Sequence, residues 1–383
     1  MTSGKRRIAY LTGTRADFGL MAGTLKQLHE HPDAEVSLLV TGIHLSADYG
    51  MTVNEVEALG LPVAARIPLN VDDRSQQAMA QAVGQALIGV AAALASDRPD
   101  LLLLLGDRGE MLAGAIAALH MSIPIAHLHG GERSGTVDEP MRHAITKLSH
   151  LHLVGTEESR ERVVRMGETP DNVYVVGAPS LDDVVHRPDT PRAQVLQRLG
   201  LPAEARYALV LFHPVVQEVA QARAQVEALV EALRAEVLAR GQRIVWLAPN
   251  ADAGSGAILD AMTQTGDARV VAITHLPRGQ YLDALACADV LVGNSSSGII
   301  EAASCGTPVV NIGSRQQLRQ RNANTRDCAG DSRSIGEALH AALAGGRFAP
   351  ANVYGDGRSG ERIAELLATV PLPATLLNKS NGY

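Results

Sequence analysis

The sequence predicts an α/β protein of two doubly wound parallel-sheet domains. Short aliphatic runs alternate with helical stretches along nearly the whole chain, the spacing of strand–helix–strand units. Leu101–Leu105 is an uninterrupted run of leucine, the composition of a strand buried on both faces of a parallel sheet. The pattern weakens at His186-Arg187-Pro188-Asp189-Thr190-Pro191 and then restarts, so the 383 residues divide into two domains.

In the first half Ile8–Leu11 reads as a strand, followed by a Thr12–Gly19 turn and a helix from Leu20 to His29. Val36–Val40 is the next strand and ends at Thr41-Gly42-Ile43-His44. A helix over Thr52–Leu59, a strand over Ala64–Ile67 and a long Ala-rich helix over Gln76–Asp97 lead to the central strand, Leu101–Leu105. That strand breaks at Gly106-Asp107-Arg108. A second apolar run, Ile123–Ala126, leads to His127-Leu128-His129-Gly130-Gly131-Glu132, and a helix beyond Asp138 carries Arg142, His143 and Lys147. Strands at Leu151–Val154 and Val173–Gly177 flank a helix over Glu157–Met166.

In the second half Ala208–Phe212 is a strand ending in His213-Pro214, and one helix spans Val219–Arg240. Strands follow at Ile244–Leu247, Val270–Ile273, Val290–Val292 and Pro308–Asn311. Between the third of these and a helix carrying Glu301 lies Gly293-Asn294-Ser295-Ser296-Ser297-Gly298. Consecutive small residues before a helix expose backbone N–H groups, and the hydroxyls add donors; such a turn suits a diphosphate, or serves as a plain capped turn. Glu301 has the chemistry to accept paired ribose hydroxyls, or to complement a helix dipole.

Composition excludes several classes. With 46% hydrophobic and 20% charged residues the chain reads as a soluble globular protein, and with only 3% aromatics its core is aliphatic. A net charge of −7 argues against a nucleic-acid surface, which needs clustered Lys and Arg. The 3 cysteines lack metal-ligand spacing and read as free thiols in a reducing compartment. The apolar run after the basic start is too short for a signal peptide, and no run reaches transmembrane length, so the expected location is cytoplasmic with no membrane partner.

In open parallel sheets ligands bind beyond the carboxyl ends of the strands. Asp107, Arg108, His129, Glu132 and Asp138 are therefore expected along one rim of the first sheet. Arg15, just after the first strand, adds a charge where a helix N-terminus offers free N–H groups. His127 and His129 alternate at a strand end without a third ligand at metal-type spacing, so no metal site is expected.

These motifs together resemble the hydrolysing (non-phosphorylating) UDP-N-acetylglucosamine 2-epimerase family, in its sialic- or nonulosonic-acid branch. The resemblance runs through Gly13–Gly19, Thr41–Leu45, Gly106–Arg108, Gly130–Glu132, Arg142–Leu148, His213–Val215, Gly293–Gly298, Gly306–Pro308, Gly313–Gln316 and Tyr354–Gly357. It implies a GT-B-like architecture, two Rossmann-type domains facing across a cleft. The expected divisions are residues 1–185 with the catalytic groups, 186–358 with the nucleotide site, and 359–383 as a terminal helix and tail that returns to the first domain.

The resemblance implies conversion of UDP-N-acetylglucosamine to N-acetylmannosamine plus UDP, by anti elimination to a 2-acetamidoglucal and rehydration, with no cofactor. The alternatives are the same reaction on a UDP-2,4-diacetamido-trideoxyhexose, as in legionaminic acid synthesis, or a glycosyltransferase, or a nucleotide-sugar sensor. Asp107 and Asp138 match the family's catalytic carboxylates, with His213 also in the catalytic set. His129 stands where the family has a glutamate, so acid/base work falls to His129, or to Glu132 or Glu139 with His129 positioning another group. Arg15, Arg108, Asn250, His275, Ser295, Ser296, Ser297, Glu301 and Arg315 are the implied nucleotide-sugar contacts. A homodimer or higher homo-oligomer is the default assembly.

Overall fold

A computed structural model describes residues 4–71, 76–134, 138–249 and 254–382. The chain forms two compact units: residues 1–132, 138–182 and 354–383 make the first, and residues 133–137 with 183–353 the second.

In chain order the first unit contains β1 (Arg6–Thr12), α1 (Arg15–Glu30), β2 (Ala34–Thr41), α2 (Val53–Ala58), β3 (Val63–Ile67), α3 (Gln76–Ser96), β4 (Leu101–Leu105), α4 (Gly109–His120), β5 (Ile125–Leu128), α5 (Asp138–Leu148), β6 (Leu151–Val154), α6 (Glu157–Arg165) and β7 (Val173–Val175). Its strands form one sheet of 7, ordered β3-β2-β1-β4-β5-β6-β7, every pair parallel. The leucines of β4 divide between its faces as the pleat requires. Leu101, Leu103 and Leu105 enter a core with Met21, Leu25 and Leu28 of α1. Leu102 and Leu104 enter a second core with Val90 and Leu94 of α3 and Met111 of α4.

α7 (Ser180–Val185) spans the boundary between the units. α8 (Arg192–Arg198), β8 (Tyr207–Leu211), α9 (Ala222–Glu236), β9 (Arg243–Leu247), α10 (Ser255–Gln264), β10 (Val270–Ile273), α11 (Arg278–Cys287), β11 (Val290–Gly293), α12 (Ser296–Ile300), β12 (Val309–Ile312), β13 (Thr325–Cys328) and α13 (Ser332–Gly345) build the second unit. Its sheet of 6 strands runs β10-β9-β8-β11-β12-β13, again with every pair parallel. Each sheet is α/β and doubly wound, as predicted.

The last helix, α14 (Ser359–Thr369), belongs to the first unit. Its Ile363, Ala364 and Leu367 join the core beside α1. Asp182 accepts from the amides of Ser359 at 2.9 Å and Gly360 at 2.6 Å, satisfying the orphan donors at the helix start.

Several elements differ from expectation for identifiable reasons. α1 begins at Arg15, not Leu20, because Thr14 and Asp17 form a reciprocal capping box that starts the helix early. The helix predicted over 219–240 is α9 between two 3-10 turns. β13, with sequence Thr-Arg-Asp-Cys, is a polar edge strand that carries no apolar signature. Over Gln77–Ser96, α3 is long and apolar enough to cross a membrane, which corrects the expectation that no run reaches that length. In the fold one stripe of α3 covers the sheet, and Met79 and Ile88 stand exposed elsewhere on it.

Candidate functional site

Because all strands of each sheet are parallel, the strand-end residues collect on one rim of each unit. On the first unit, β1 leads into Gly13 and Thr14, and Arg15 is the first residue of α1. Asp17 turns back beneath this loop. Its carboxylate accepts from the Thr12 hydroxyl at 2.6 Å and the Gly13 amide at 3.0 Å. Burial raises its pKa to about 6, against the opposing pull of those donors and of Arg108. The same Thr12 hydroxyl meets His44 Nε2 at 3.0 Å, and His44 Nδ1 meets Thr52 at 2.8 Å. Asp17 and His44 thus form a buried polar frame under the Arg15 loop; the sequence signal for Asp17 was the Thr-x-x-Asp spacing.

The β4 and β5 ends hold the larger cluster. α4 begins at Gly109 with Arg108 as its N-cap, so Asp107 is no helix cap. Its carboxylate is ion-paired with Arg142 of α5, whose side chain is 1% exposed. Arg142 also donates to the Glu132 carbonyl at 3.0 Å. One buried guanidinium therefore fixes both the Asp107 side chain and the Glu132 backbone. Glu132 in turn bonds through Oε1 to His129 Nδ1. His129 reaches this position with φ of 61°, a left-handed conformation uncommon for a non-glycine residue and concentrated at functional sites. Its amide is tied to Leu153 O at 3.0 Å. At Gly131, with φ of 73°, an added Cβ would lie 2.5 Å from Ser159 O, so the turn that presents Glu132 requires glycine there.

Asp138 opens α5, where a carboxylate complements the helix dipole. His143 faces Glu139 at 3.7 Å and Lys147 bonds Glu168 at 2.6 Å, so both belong to the packing of α5. His127 lies within β5, its Nε2 donating to Gly106 O at 2.7 Å and its Nδ1 facing the Thr146 hydroxyl at 3.2 Å.

Burial holds three imidazoles neutral: it lowers His44 to about 4, His127 to about 3, and His150, which precedes β6 and accepts from the Ile125 amide at 3.1 Å, to about 4. The unfolded chain takes protons on them near 6.5, and the folded chain does so only well below. Stability is therefore expected to fall as pH drops from about 6.5 toward 4, by at most about 1.4 kcal/mol per pH unit for each histidine. Asp17 acts oppositely, since its folded carboxyl takes a proton first; one such group is outweighed by three. Urea unfolding at about pH 7.5 and about pH 5 tests this. An unfolding free energy level with or higher than the neutral value at the acid pH would refute it.

On the second unit, Asn294 ties the ends of β8 and β11. It accepts from the His213 amide at 2.7 Å and donates to the His213 carbonyl at 2.8 Å. Its own carbonyl accepts from Arg315 at 3.0 Å and Gln316 at 3.2 Å. Gly293, with φ of 144°, permits this closeness; a Cβ would sit 1.9 Å from Leu211 O. Ser295 caps α12 by accepting from the Ser297 amide. His213, the serine run and Arg315 are thus brought to one rim. His275 follows β10 and is exposed.

One expectation changes here. Glu301 ends α12 as its C-cap, because that helix is only Ser296–Ile300. Its carboxylate is already engaged: Ser297 donates to Oε2, Tyr281 bonds the same Ser297 hydroxyl, and Arg278 forms an ion pair with Oε1 at 2.7 Å. Asn250 lies outside the described residues.

Arg142, Asp17 and Asn294 are the residues that reading the sequence for site chemistry did not single out. Cys305 and Cys328 are pushed by burial to about 11 and about 12, so neither is a ready thiolate.

The profile of the UDP-N-acetylglucosamine 2-epimerase family matches residues 26–368. A Legionella pneumophila protein, UDP-N,N'-diacetylbacillosamine 2-epimerase (hydrolyzing), is 46% identical over 99% of this chain and 100% of its own length. A Neisseria meningitidis UDP-N-acetylglucosamine 2-epimerase is 33% identical over 94% of this chain and 95% of its own. Among solved structures, the N. meningitidis UDP-GlcNAc 2-epimerase bound to UDP-GlcNAc has a TM-score of 0.79 at 17% identity, covering 94% of this chain and 99% of that one; it establishes the shared GT-B-like fold class. By the span of the profile match and the extent of identity, the chain belongs to the UDP-N-acetylglucosamine 2-epimerase family.

Proposed function

We propose that the protein is a hydrolysing 2-epimerase acting on a UDP-linked 2,4-diacetamido-trideoxyhexose, releasing UDP and the free manno-configured sugar. The observation that carries this reading is full-length similarity to the L. pneumophila diacetylbacillosamine enzyme. A second reading, UDP-N-acetylglucosamine as substrate with N-acetylmannosamine as product, is favoured by the N. meningitidis relative.

The chemistry is an elimination followed by a hydration. A base takes the C2 proton while UDP leaves C1 with the electron pair of the C1–O bond, and a C1=C2 bond forms. Water then adds its oxygen to C1, and a proton returns to C2 on the opposite face. We assign the proton transfers to Asp107, His129, Glu132 and Asp138, positioned carboxylates and imidazole of the kind general acid/base catalysis needs. His213, with Arg15, Arg108, His275, Ser295, Ser296, Ser297 and Arg315, is assigned to the UDP, whose departing charge cations and N–H donors stabilise. Glu301 is assigned to the ribose, through exchange of its Ser297 or Arg278 contact.

The test incubates the protein in D₂O with each UDP-sugar and follows the products by NMR. UDP release with deuterium at C2 of a free manno sugar supports the reading, and the faster substrate decides between the two sugars. UDP-sugar consumption without C2 exchange would exclude 2-epimerisation. Ser296→Ala is expected to weaken UDP binding by about 1 kcal/mol, roughly fivefold by titration calorimetry. An unchanged Kd would remove Ser296 from the nucleotide site.

A further inference from the structure

The end of the chain is built into the support of α5. Beyond α14, Lys379 sends its ammonium to the carbonyls of Thr146 at 3.2 Å, Lys147 at 2.7 Å and Ser149 at 2.5 Å. These are carbonyls at the C-terminal end of α5, and a cation there opposes the negative pole of the helix. The same ammonium meets Glu168 Oε2 at 2.7 Å, and Glu168 also accepts from Lys147 at 2.6 Å and pairs with His152 at 2.9 Å. Asn381 accepts from Lys147 at 2.8 Å, and the Gly382 amide donates to Gly167 O at 2.8 Å. Burial opposes the Glu168 charge, yet these three partners hold its pKa down to about 2.

The residues so gripped lead directly to the candidate site. Thr146, whose carbonyl takes Lys379, also faces His127 with its hydroxyl at 3.2 Å. One helical turn earlier, Arg142 holds Asp107 and the Glu132 carbonyl. His152 stands opposite His127 in the β5–β6 register. α5 has only 11 residues, a length at which a helix depends on its tertiary anchors.

We propose that Lys379 is a positioning residue: the C-terminal tail anchors the end of α5 and thereby sets Arg142, and through it Asp107 and Glu132, at the rim. Its effect on turnover rests on the function proposed above, whereas its effect on α5 does not.

The experiment measures both in the full chain. In Lys379→Ala, amide exchange across residues 138–148 is expected to accelerate at least tenfold, while UDP affinity stays within about twofold. Turnover per UDP-binding site is expected to fall roughly ten- to a hundredfold at little-changed KM, the cost of a catalytic group displaced by a fraction of an ångström to an ångström. Lys379→Arg, which keeps charge and donors, is expected to restore both. Should Lys379→Ala not fold, Lys379→Gln, with donors but no charge, takes its place. Unchanged α5 exchange would overturn the anchor. Faster exchange with normal turnover per UDP-binding site would overturn the positioning role. If the wild-type protein turns over no UDP-sugar, the functional proposal fails and α5 exchange alone judges the anchor.

Discussion

Asp107→Asn is expected to abolish measurable turnover while leaving UDP binding near normal. The amide is isosteric with the carboxylate and can still accept from Arg142 through its oxygen, so the β4–α5 connection survives. What it loses is the capacity to carry a proton. A positioned general acid or base contributes about 10²–10⁴ in rate, and the weak acidity of a C2 proton leaves little background reaction to mask the loss. The nucleotide-binding assignments lie largely on the second unit, where this substitution alters nothing. UDP release measures the rate, titration calorimetry the UDP affinity and thermal unfolding the stability. Activity within tenfold of wild type would remove Asp107 from the proton-transfer set. A fall in UDP affinity equal to the fall in turnover would make its role structural instead.

Much of the fold was legible because a parallel sheet covered on both faces leaves a simple trace. The leucines of β4 could be read as a doubly buried strand before any partner was known, and both cores now share them. β13 was invisible for the converse reason: an edge strand with exposed polar side chains has no hydrophobic signature. The stretch His186–Pro191 does connect two elements, but they are the short helices α7 and α8, too brief for a periodic pattern to declare itself. α1 was misplaced at its start because an aspartate three residues past a threonine was read as part of a turn; the capping box is what Thr14 and Asp17 form.

The placement of the rim residues was legible where a strand-end carboxylate or imidazole stands next to glycine, as at Asp107, His129 and Glu132. It was not legible where the role depends on tertiary neighbours. Arg142 was read only as one of three basic residues on the helix beyond Asp138, and only the tertiary placement of α5 makes it the shared partner of two strand termini. Asn294 looked like one more small polar residue in a phosphate-type loop, but its side chain pairs with the backbone of His213. Glu301 was read as lying on a helix; it is the C-cap of α12, and its carboxylate is held by Ser297 and Arg278, contacts that only the fold reveals. His129 stood out in sequence as a departure from the family's glutamate. The left-handed backbone and the Glu132 partner give that departure a physical form, a paired imidazole and carboxylate at the end of β5.

Arg142→Ala is expected to damage stability and turnover together. Removing one member of a buried ion pair costs about 3–5 kcal/mol because the other charge is left desolvated. Asp107 keeps 24% of its side-chain exposure, so water recovers part of this; the expected loss is about 2–3 kcal/mol, or roughly 5–10 °C in melting temperature. The Glu132 carbonyl also loses its donor. With Asp107 and the Glu132 backbone both released, turnover is expected to fall at least as far as in Asp107→Asn. Arg142→Lys is expected to rescue little, since a single ammonium on a shorter reach cannot replace a guanidinium that bonds both partners in a fixed fork. The double variant Arg142→Ala with Asp107→Asn decides between a shared pair and two independent residues. If the cost of losing Arg142 is the stranded Asp107 charge, neutralising Asp107 relieves it, and the double variant is more stable than the sum of the single losses by about 1 kcal/mol or more. Strict additivity in the same unfolding experiment would mean that Arg142 supports the fold through the Glu132 carbonyl and the packing of α5, and that its contact with Asp107 contributes little.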